Sequence, residues 1–210
     1  MKCIILIAAP AAGKGTIAKY IEDKYGYKHI STGDLLRSEA SKDTEFGKEI
    51  KSLIDEGKFV SDEVMMKVFE ETFKNMKDNV ILDGMPRTLN QGKLFEELAN
   101  NNDDVIIDKV IYIDIDKNIA IDRIINRASC ENCGSVFNKN LLDTDKCTKC
   151  GGNLVSRNDD NLDTYLKRYD TFIKETKPLV DFYKDKVITI ENNSTLEDMF
   201  MKVDHILGDD

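Results

Sequence analysis

The sequence has none of the features typical of membrane or secreted proteins. None of its apolar runs approaches the roughly 18 to 20 residues that a membrane-spanning helix needs. The apolar start of the chain, residues 3–8, is short and runs straight into a Gly-Lys-Gly turn with no polar cleavage region. It therefore predicts a buried strand rather than a signal peptide. We expect a cytoplasmic protein that does not bind membranes.

Positive charge is outweighed by negative charge, with 30 basic against 39 acidic residues. The net charge is −9, which opposes general binding to nucleic acid because a phosphate backbone repels an acidic protein. Arginine can mark places that need a rigid bidentate fork for phosphate or carboxylate, although chance and ordinary ion pairs are an alternative. Of the 30 basic residues only six are arginine: Arg37, Arg87, Arg123, Arg127, Arg157 and Arg168.

Short apolar runs alternate with helical patterns along the chain. Strands are predicted at residues 3–7, 80–82, within 105–115 and at 187–190, and helices at about 15–25, 89–100, 117–128 and 161–183. Pro178 should kink or end the regular part of the fourth helix. A last helix should start at the capping box Ser194-Thr195-Leu196-Glu197. Residues 31–60 look helical and polar without a clear strand. The pattern predicts an α/β fold: a doubly wound parallel sheet of about five strands, flanked by helices, which binds ligands at the carboxyl ends of its strands.

The turn after the first strand resembles a phosphate-binding loop without matching its strict pattern. It reads Ala8-Ala9-Pro10-Ala11-Ala12-Gly13-Lys14-Gly15-Thr16, with alanine where the pattern has its first glycine and Thr16 one place late. Backbone N–H groups at the start of a helix can still bind phosphate, and Lys14 can neutralise it. A tight turn with an incidental lysine is the alternative.

Asp83 ends the second predicted strand, beside the first. At that edge its carboxylate would face the phosphates and could hold Mg²⁺ through water. A helix cap or a turn former is an equally good interpretation of this residue alone.

Four of the five cysteines form two C-x-x-C-Gly sequences separated by 13 residues. The spacing is slightly short for a zinc ribbon, but four thiolates suit a tetrahedral, structural Zn²⁺, with iron possible in the same cage. Two disulfides are the alternative, which a cytosolic location disfavours. The predicted ligands are Cys130, Cys133, Cys147 and Cys150. Cys3, inside the first strand, is predicted to be a core residue.

Five motifs, taken in order, resemble the adenylate kinase family over essentially the whole chain. They are the Gly-Lys-Gly-Thr form of the phosphate loop, Ser31-Thr32-Gly33-Asp34-Leu35-Leu36-Arg37, Asp83-Gly84-Met85-Pro86-Arg87-Thr88 with Gln91, Asp122-Arg123 with Arg127, and Arg157-Asn158-Asp159-Asp160-Asn161 with Arg168. The resemblance implies a core made of residues 1–30, 61–126 and 159–210, an AMP-binding segment at 31–60, and a zinc-binding lid at 127–158.

The resemblance also implies a role for each site residue. The AMP base would contact Thr32, Gln91 and the backbone of Lys58, Phe59 and Val60, near Gly84, Met85 and Pro86. The AMP phosphate would bind Arg37 and Arg87. The ATP phosphates would bind the loop segment Ala11, Ala12, Gly13, Lys14, Gly15 and Thr16. Arg123 and Arg127 would hold the same nucleotide, and Val136, Phe137 and Ser194 would lie near it. Arg157 and Arg168, which also face AMP, would neutralise the transferring group.

The activity implied is reversible, Mg²⁺-dependent transfer of a phosphoryl group, ATP plus AMP giving two ADP, by a monomer. Neither His29 nor His205 lies in a catalytic-looking motif, and an AMP phosphate oxygen is already ionised near neutral pH. We therefore expect direct in-line transfer without a phosphoenzyme. A CMP or UMP kinase is an alternative, which Thr32 and Gln91 disfavour. A zinc-ribbon nucleic-acid-binding protein is a remoter one, which the acidic charge opposes.

Two alanines of the phosphate loop depart from the family pattern. Relatives usually carry glycine at the positions of Ala8 and Ala11. A Cβ there costs about 1 kcal/mol or more if the backbone needs a positive φ. Either both residues have an ordinary φ, or the loop trades some nucleotide affinity for rigidity.

Overall fold

The computed structural model describes residues 1–56, 60–62, 65, 76–101 and 104–208. Its strands are β1 (Lys2–Ala8), β2 (Lys28–Ser31), β3 (Val80–Asp83), β4 (Ile106–Asp114), β5 (Arg127–Cys130), β6 (Val136–Asn138), β7 (Leu154–Val155) and β8 (Val187–Glu191). Its α-helices are α1 (Lys14–Tyr25), α2 (Thr32–Ala40), α3 (Glu45–Asp55), α4 (Leu89–Asn100), α5 (Lys117–Ile125), α6 (Leu162–Thr171), α7 (Pro178–Phe182) and α8 (Leu196–Leu207). A π-helical segment, Phe172–Thr176, joins α6 to α7.

The main sheet has five parallel strands in the order β2-β3-β1-β4-β8. Of its inner strands, β1 and β3 are runs of buried apolar residues and β4 is buried along its second half, as expected for a parallel sheet covered by helices on its faces. The predicted α/β fold is confirmed. Because all five strands point the same way, their carboxyl ends bring the loop after β1, Asp83 at the end of β3 and the turn after β8 to one edge.

In the main sheet, the edge strand β2 is the one that the sequence did not locate. Ile30 is its only fully buried side chain, whereas Lys28 is exposed and His29 is half-buried. A four-residue strand with one buried residue has no hydrophobic pattern to recognise. Its pairing with β3 aligns Ser31 with Asp83, which brings the start of α2 to the carboxyl edge of the sheet.

A separate antiparallel sheet, ordered β6-β5-β7, lies within residues 127–155. The prediction of a helix over 117–128 was wrong in its last turn. Helix α5 ends at Ile125, and Arg127 and Ala128 instead pair with Asn138 and Phe137 in this small sheet. The spacing of apolar residues could not distinguish a last helical turn from a short strand. Ala128 is fully buried in the strand, as it would also be on the inner face of a helix.

Two helix termini also bear on the predictions. The regular part of α6 ends at Thr171, before the π-helical segment, and Pro178 occupies the first turn of α7, so the predicted break near this proline is confirmed. The capping box was wrong by one residue. Thr195, not Ser194, caps α8, because its Oγ1 accepts the N–H of Asp198 at 3.3 Å.

Within the described ranges, no helix combines the length and the apolar character required to cross a membrane. The core is formed instead by the sheet and the helices packed on it, and Cys3 is fully buried there. Burial raises the pKa of the Cys3 thiol to about 12, so this cysteine is a neutral core residue as predicted.

Candidate active site

The loop between β1 and α1 has the geometry of an anion-binding turn. Gly13, with φ 92°, is the N-cap of α1, and no side chain caps its first backbone N–H groups. These N–H groups and the positive end of the helix dipole are available to a phosphate. The two unusual alanines differ: Ala8 is part of β1, whereas Ala11 has φ 62°, in the left-handed region that favours glycine. The loop therefore holds one alanine under strain.

Lys14 lies in the first turn of α1, and its Nζ donates to the carbonyl oxygen of Ala8 at 3.2 Å. Burial lowers the pKa of this amine to about 8, against the opposing effect of Asp83 and with a further contribution from nearby arginines. A bound polyanion would restore the charge, because an opposite charge favours the protonated form.

Asp83 ends β3 with its carboxylate near the loop. Its Oδ2 lies 3.3 Å from His29 Nε2 and 3.8 Å from where a Cβ on Gly15 would stand. Burial opposes ionisation, but the hydrogen bond with His29 and the charges of Lys14 and Arg87 outweigh it, so the pKa of Asp83 lies below its usual range. An ionised carboxylate beside an anion-binding turn suits Mg²⁺, which prefers oxygen ligands.

Five arginines and Lys14 lie close enough to repel one another. Burial is the main cause of the lowered pKa of Arg87, to about 10, and the charges of Arg168 and Arg37 lower it further. Burial likewise lowers the pKa of Arg157, and the charges of Arg37 and Arg127 lower it further. Such crowding disfavours the charged forms of these groups, and neighbouring carboxylates or a bound anion offset it. The structure thus brings together Lys14, Arg37, Arg87, Arg127, Arg157 and Arg168.

Three of these arginines are held by aspartates. Both nitrogens of the Arg127 fork bind Asp160, whose side chain is only 1% exposed. Arg168 Nη1 donates to Asp159 Oδ2 at 2.8 Å, and Arg37 pairs with Asp34 within α2. Because each carboxylate fixes its guanidinium in place, the remaining N–H donors have a defined direction before any ligand arrives.

Arg123 on α5 is anchored differently, through the turn after β8. Its Nη2 donates to the backbone oxygen of Asn192 at 3.3 Å. The Asn192 side chain is 1% exposed, and its Nδ2 donates to Ala12 O at 2.8 Å. Asn192 therefore connects the phosphate loop to Arg123, a role that no sequence motif indicated.

A narrow pocket opens beside Arg87, and five of the twelve predicted AMP-side residues line it. Thr32 is 1% exposed, and its hydroxyl donates to Gly84 O at 2.9 Å. Arg87 Nε donates to the same oxygen at 2.7 Å. Gly84 has φ 93°, and a Cβ there would stand 2.7 Å from Arg87 Nη2, so only glycine fits. The pocket is lined by Thr32, Leu36, Val60, Met65, Gly84, Arg87 and Gln91.

Gln91 sits at the start of α4 with both ends of its carboxamide bonded. Its Oε1 accepts the backbone N–H of Arg87 at 2.7 Å, and its Nε2 donates to Asp62 Oδ1 at 2.7 Å. The side chain is 2% exposed. Asp62 was not among the predicted site residues. A contact across 29 positions leaves no local pattern in the sequence.

The π-helical segment supports the site from behind. Its i→i+5 bond runs from Lys177 N to Phe172 O at 2.8 Å. Thr176, which is buried, donates its hydroxyl to the backbone oxygen of Arg87 at 2.8 Å. The segment thus joins the helix that carries Arg168 to the backbone of Arg87. π-Helical turns are frequent at functional sites.

Four cysteines of the small sheet converge as predicted. Their sulfur atoms all lie within 4.8 Å of one another. Cys130 and Cys150 are 3.4 Å apart, and Cys133 and Cys147 are 3.6 Å apart. These distances exceed the disulfide bond of about 2.05 Å, and they approach the roughly 3.8 Å between ligands of a tetrahedral Zn²⁺ with 2.3 Å bonds. The donor set therefore fits zinc and does not form disulfides.

The remaining predicted residues are less closely tied to the site. Val136 and Phe137 lie in β6 of the small sheet, and Ser194 is exposed in the turn before α8. Met85 and Pro86 are buried, and Ala12, Gly15 and Thr16 belong to the loop and first turn of α1. Lys58 and Phe59 lie outside the described residues.

Comparison with known proteins places this geometry in context. The family model described as adenylate kinase matches residues 6–188. An adenylate kinase of Alkaliphilus oremlandii is 38% identical over 215 residues, which cover 99% of this chain and 99% of that protein. One from Petrotoga mobilis is 38% identical, covering 97% and 96%. One from Bacillus licheniformis is also 38% identical, covering 98% and 97%.

Proposed function

Because this chain belongs to the adenylate kinase family, we propose that it transfers a phosphoryl group reversibly between ATP and AMP, giving two ADP. The enzyme is a phosphotransferase, and this reaction would balance the adenine nucleotides of the cell. The observation that carries the proposal is the convergence of Lys14 and five arginines beside an anion-binding turn. Two nucleotides that meet phosphate to phosphate would supply the negative charge that this cluster needs.

The ATP phosphates would bind backbone N–H groups of residues 11–16, in the loop before α1 and in its first turn. Lys14 would neutralise them and regain its proton as they bind. Arg123 and Arg127 would hold the same nucleotide, with Val136, Phe137 and Ser194 near it. The pair between Arg127 and Asp160 supports this role, because it leaves the guanidinium oriented in advance.

The AMP base would occupy the pocket between Thr32 and Gln91, with Arg37 and Arg87 on the phosphate. Val60 lines this pocket, and the backbone of Lys58 and Phe59 would complete it. Arg157 and Arg168 would bridge the two nucleotides, where charge on the transferring group is greatest. Their positions beside Arg37 and Arg127 support that assignment.

Asp83 would hold Mg²⁺ through water, and the ion would shield the charge on the ATP phosphates when bound. The chain's own part is positioning. An AMP phosphate oxygen is already ionised, so its attack on the γ-phosphate needs no general base. His29 is oriented by Asp83 and would act as a partner of that carboxylate, not as a nucleophile. A phosphorylated protein isolated on the reaction pathway would contradict direct transfer.

Residues 127–158 would form a lid that structural Zn²⁺ holds in shape, residues 31–60 the AMP-binding segment, and the remaining ranges the core. The lid would close over the transferring group and exclude water, which limits hydrolysis of ATP. A cytoplasmic, monomeric enzyme that binds neither nucleic acid nor membranes completes the proposal. Cell fractionation and light scattering would test the first two points.

A coupled assay with ATP and each of AMP, CMP, UMP and GMP tests the substrate. We expect kcat/KM for AMP to exceed that for the pyrimidine monophosphates by at least about a hundredfold. A mismatched base would leave polar groups of the pocket without a hydrogen-bond partner, which lowers its binding. Faster turnover with CMP or UMP would contradict the assignment. Arg87→Lys serves as a matched variant: it keeps the charge but loses the bidentate fork, so KM for AMP should rise while KM for ATP changes little.

A further inference from the structure

The contact between Asp62 and Gln91 fixes the orientation of an amide that faces the acceptor pocket. A carboxylate only accepts hydrogen bonds, so the Nε2 end of Gln91 must lie toward Asp62. A backbone N–H only donates, so the Oε1 end must lie toward Arg87 N. Both contacts are 2.7 Å long. A flipped amide would lose both bonds and place like groups together.

Asp62 is itself held by the start of α4. Its Oδ2 accepts from Asn90 Nδ2 at 2.8 Å, while Oδ1 binds Gln91. Oδ1 also accepts a longer hydrogen bond from Thr88 Oγ1, at 3.5 Å. Of these three partners only Gln91 lines the pocket, and Asn90 is exposed to solvent.

Each end of the Gln91 amide retains one hydrogen-bonding position. Nε2 carries a second N–H, and Oε1 a second lone pair. The pocket lined by Thr32, Val60 and Gln91 is where they can be used. A base that pairs with both must offer an acceptor to the nitrogen and a donor to the oxygen. The N1 and N6 groups of adenine offer this pair, whereas hypoxanthine, with N1–H and O6, offers the reverse.

We propose that Asp62 is a positioning residue that strengthens the base preference of this pocket, by holding the Gln91 amide, together with the backbone N–H of Arg87, in the one orientation that complements adenine. The proposal rests on the function proposed above. With the amide fixed, an IMP base in the same place would put two acceptors together, O6 and Oε1. It would also put two donors together, N1–H and Nε2–H. A site with fixed polar groups rejects such an analogue strongly, because its buried groups are then unpaired.

The decisive variant is Asp62→Asn, whose side chain can accept from Nε2 or donate to Oε1 with similar geometry. The readout is the ratio of kcat/KM for AMP to kcat/KM for IMP, with ATP saturating. We expect the ratio to fall by about tenfold, since one charge-assisted hydrogen bond that fixed the orientation is lost. KM for ATP should not change. Asp62→Ser, whose hydroxyl also donates or accepts, gives the same test if Asp62→Asn does not fold.

Asn90→Ala is the matched control, because it removes the partner of the second carboxylate oxygen, Oδ2, and leaves the Gln91 contact in place. It should keep the ratio within twofold of wild type. A ratio that stays constant in folded Asp62→Asn or Asp62→Ser, even with lower activity toward AMP, would overturn the proposal. An equal fall of the ratio in Asn90→Ala would overturn it too, as a general disturbance of α4. If wild type itself failed to phosphorylate AMP, the proposed function would fail instead.

Discussion

Replacing Ala11 by glycine tests the strain in the phosphate loop. Ala11 has φ 62°, a backbone conformation that alanine adopts only at a cost. Ala8, three residues earlier, lies in β1 and has no such strain. The two substitutions remove the same methyl group from the same loop region, so Ala8→Gly is a matched control for Ala11→Gly.

Three effects determine the result at Ala11. Glycine relieves the left-handed conformation, which is worth about 1 to 2 kcal/mol. It also makes the unfolded chain more flexible, which costs about 0.4 to 1 kcal/mol, and it removes a half-buried methyl group, which costs about 0.4 kcal/mol at half the value of a buried CH₂. Ala11→Gly should therefore leave the free energy of unfolding unchanged or raise it by about 0.5 kcal/mol.

At Ala8 only the unfavourable effects remain. The residue is 6% exposed, so glycine loses nearly a full buried methyl as well as chain entropy, and the variant should be destabilised by about 1.5 kcal/mol. The two variants should then differ by about 2 kcal/mol, or about 4 to 8 °C in melting temperature for a chain of this size. Calorimetry without nucleotide measures the difference. Equal destabilisation of both variants would refute the left-handed conformation at Ala11.

Three further predictions concern the site. Burial lowers the pKa of Lys14 to about 8, so the amine is charged below that pH and neutral above it. We therefore expect kcat/KM for ATP to fall about tenfold for each pH unit above 8. A pH profile that stays flat up to pH 10 would contradict this. Gly84→Ala places a Cβ 2.7 Å from Arg87 Nη2 at φ 93°, so KM for AMP should rise more than about tenfold with KM for ATP nearly constant; an equal rise in both would indicate general damage. Chelation should release metal from the cysteine cluster and lower the melting temperature by several degrees, because binding energy at a structural zinc site contributes to folding; an unchanged melting curve after confirmed metal loss would argue against a structural role.

The sequence predicted the main sheet because four of its strands contain apolar runs that are followed by helical patterns. It predicted the residues of the site because the motifs that carry them are short and local, such as the run from Asp83 to Arg87. The prediction failed where a boundary depends on tertiary pairing. Arg127 pairs in β5 instead of extending a helix, and β2 is held by its neighbour β3, with only Ile30 fully buried.

Other features could not have been predicted because they join residues far apart in the chain. Asn192 reaches Ala12 across 180 positions, and Asp62 reaches Gln91 across 29. Asparagine and aspartate at such places look like ordinary turn residues in the sequence. The left-handed φ of Ala11 is hidden for a different reason, since alanine at that position suggests an ordinary backbone.

The π-helical segment makes the number of residues between α6 and α7 matter for the position of a side chain. Its wide turn holds one residue more than a regular α-helical turn would. Loss of one codon between residues 172 and 176 would let a regular α-helix form, which is locally the easier structure. It would also draw Arg168 about 1.5 Å along the helix axis toward Thr176 and its bond to Arg87. Such a deletion would leave the secondary structure intact but displace the Arg168 guanidinium, so we expect it to lower the activity. In an evolving gene, this stretch should therefore tolerate exchange of one residue for another much more readily than any change in their number.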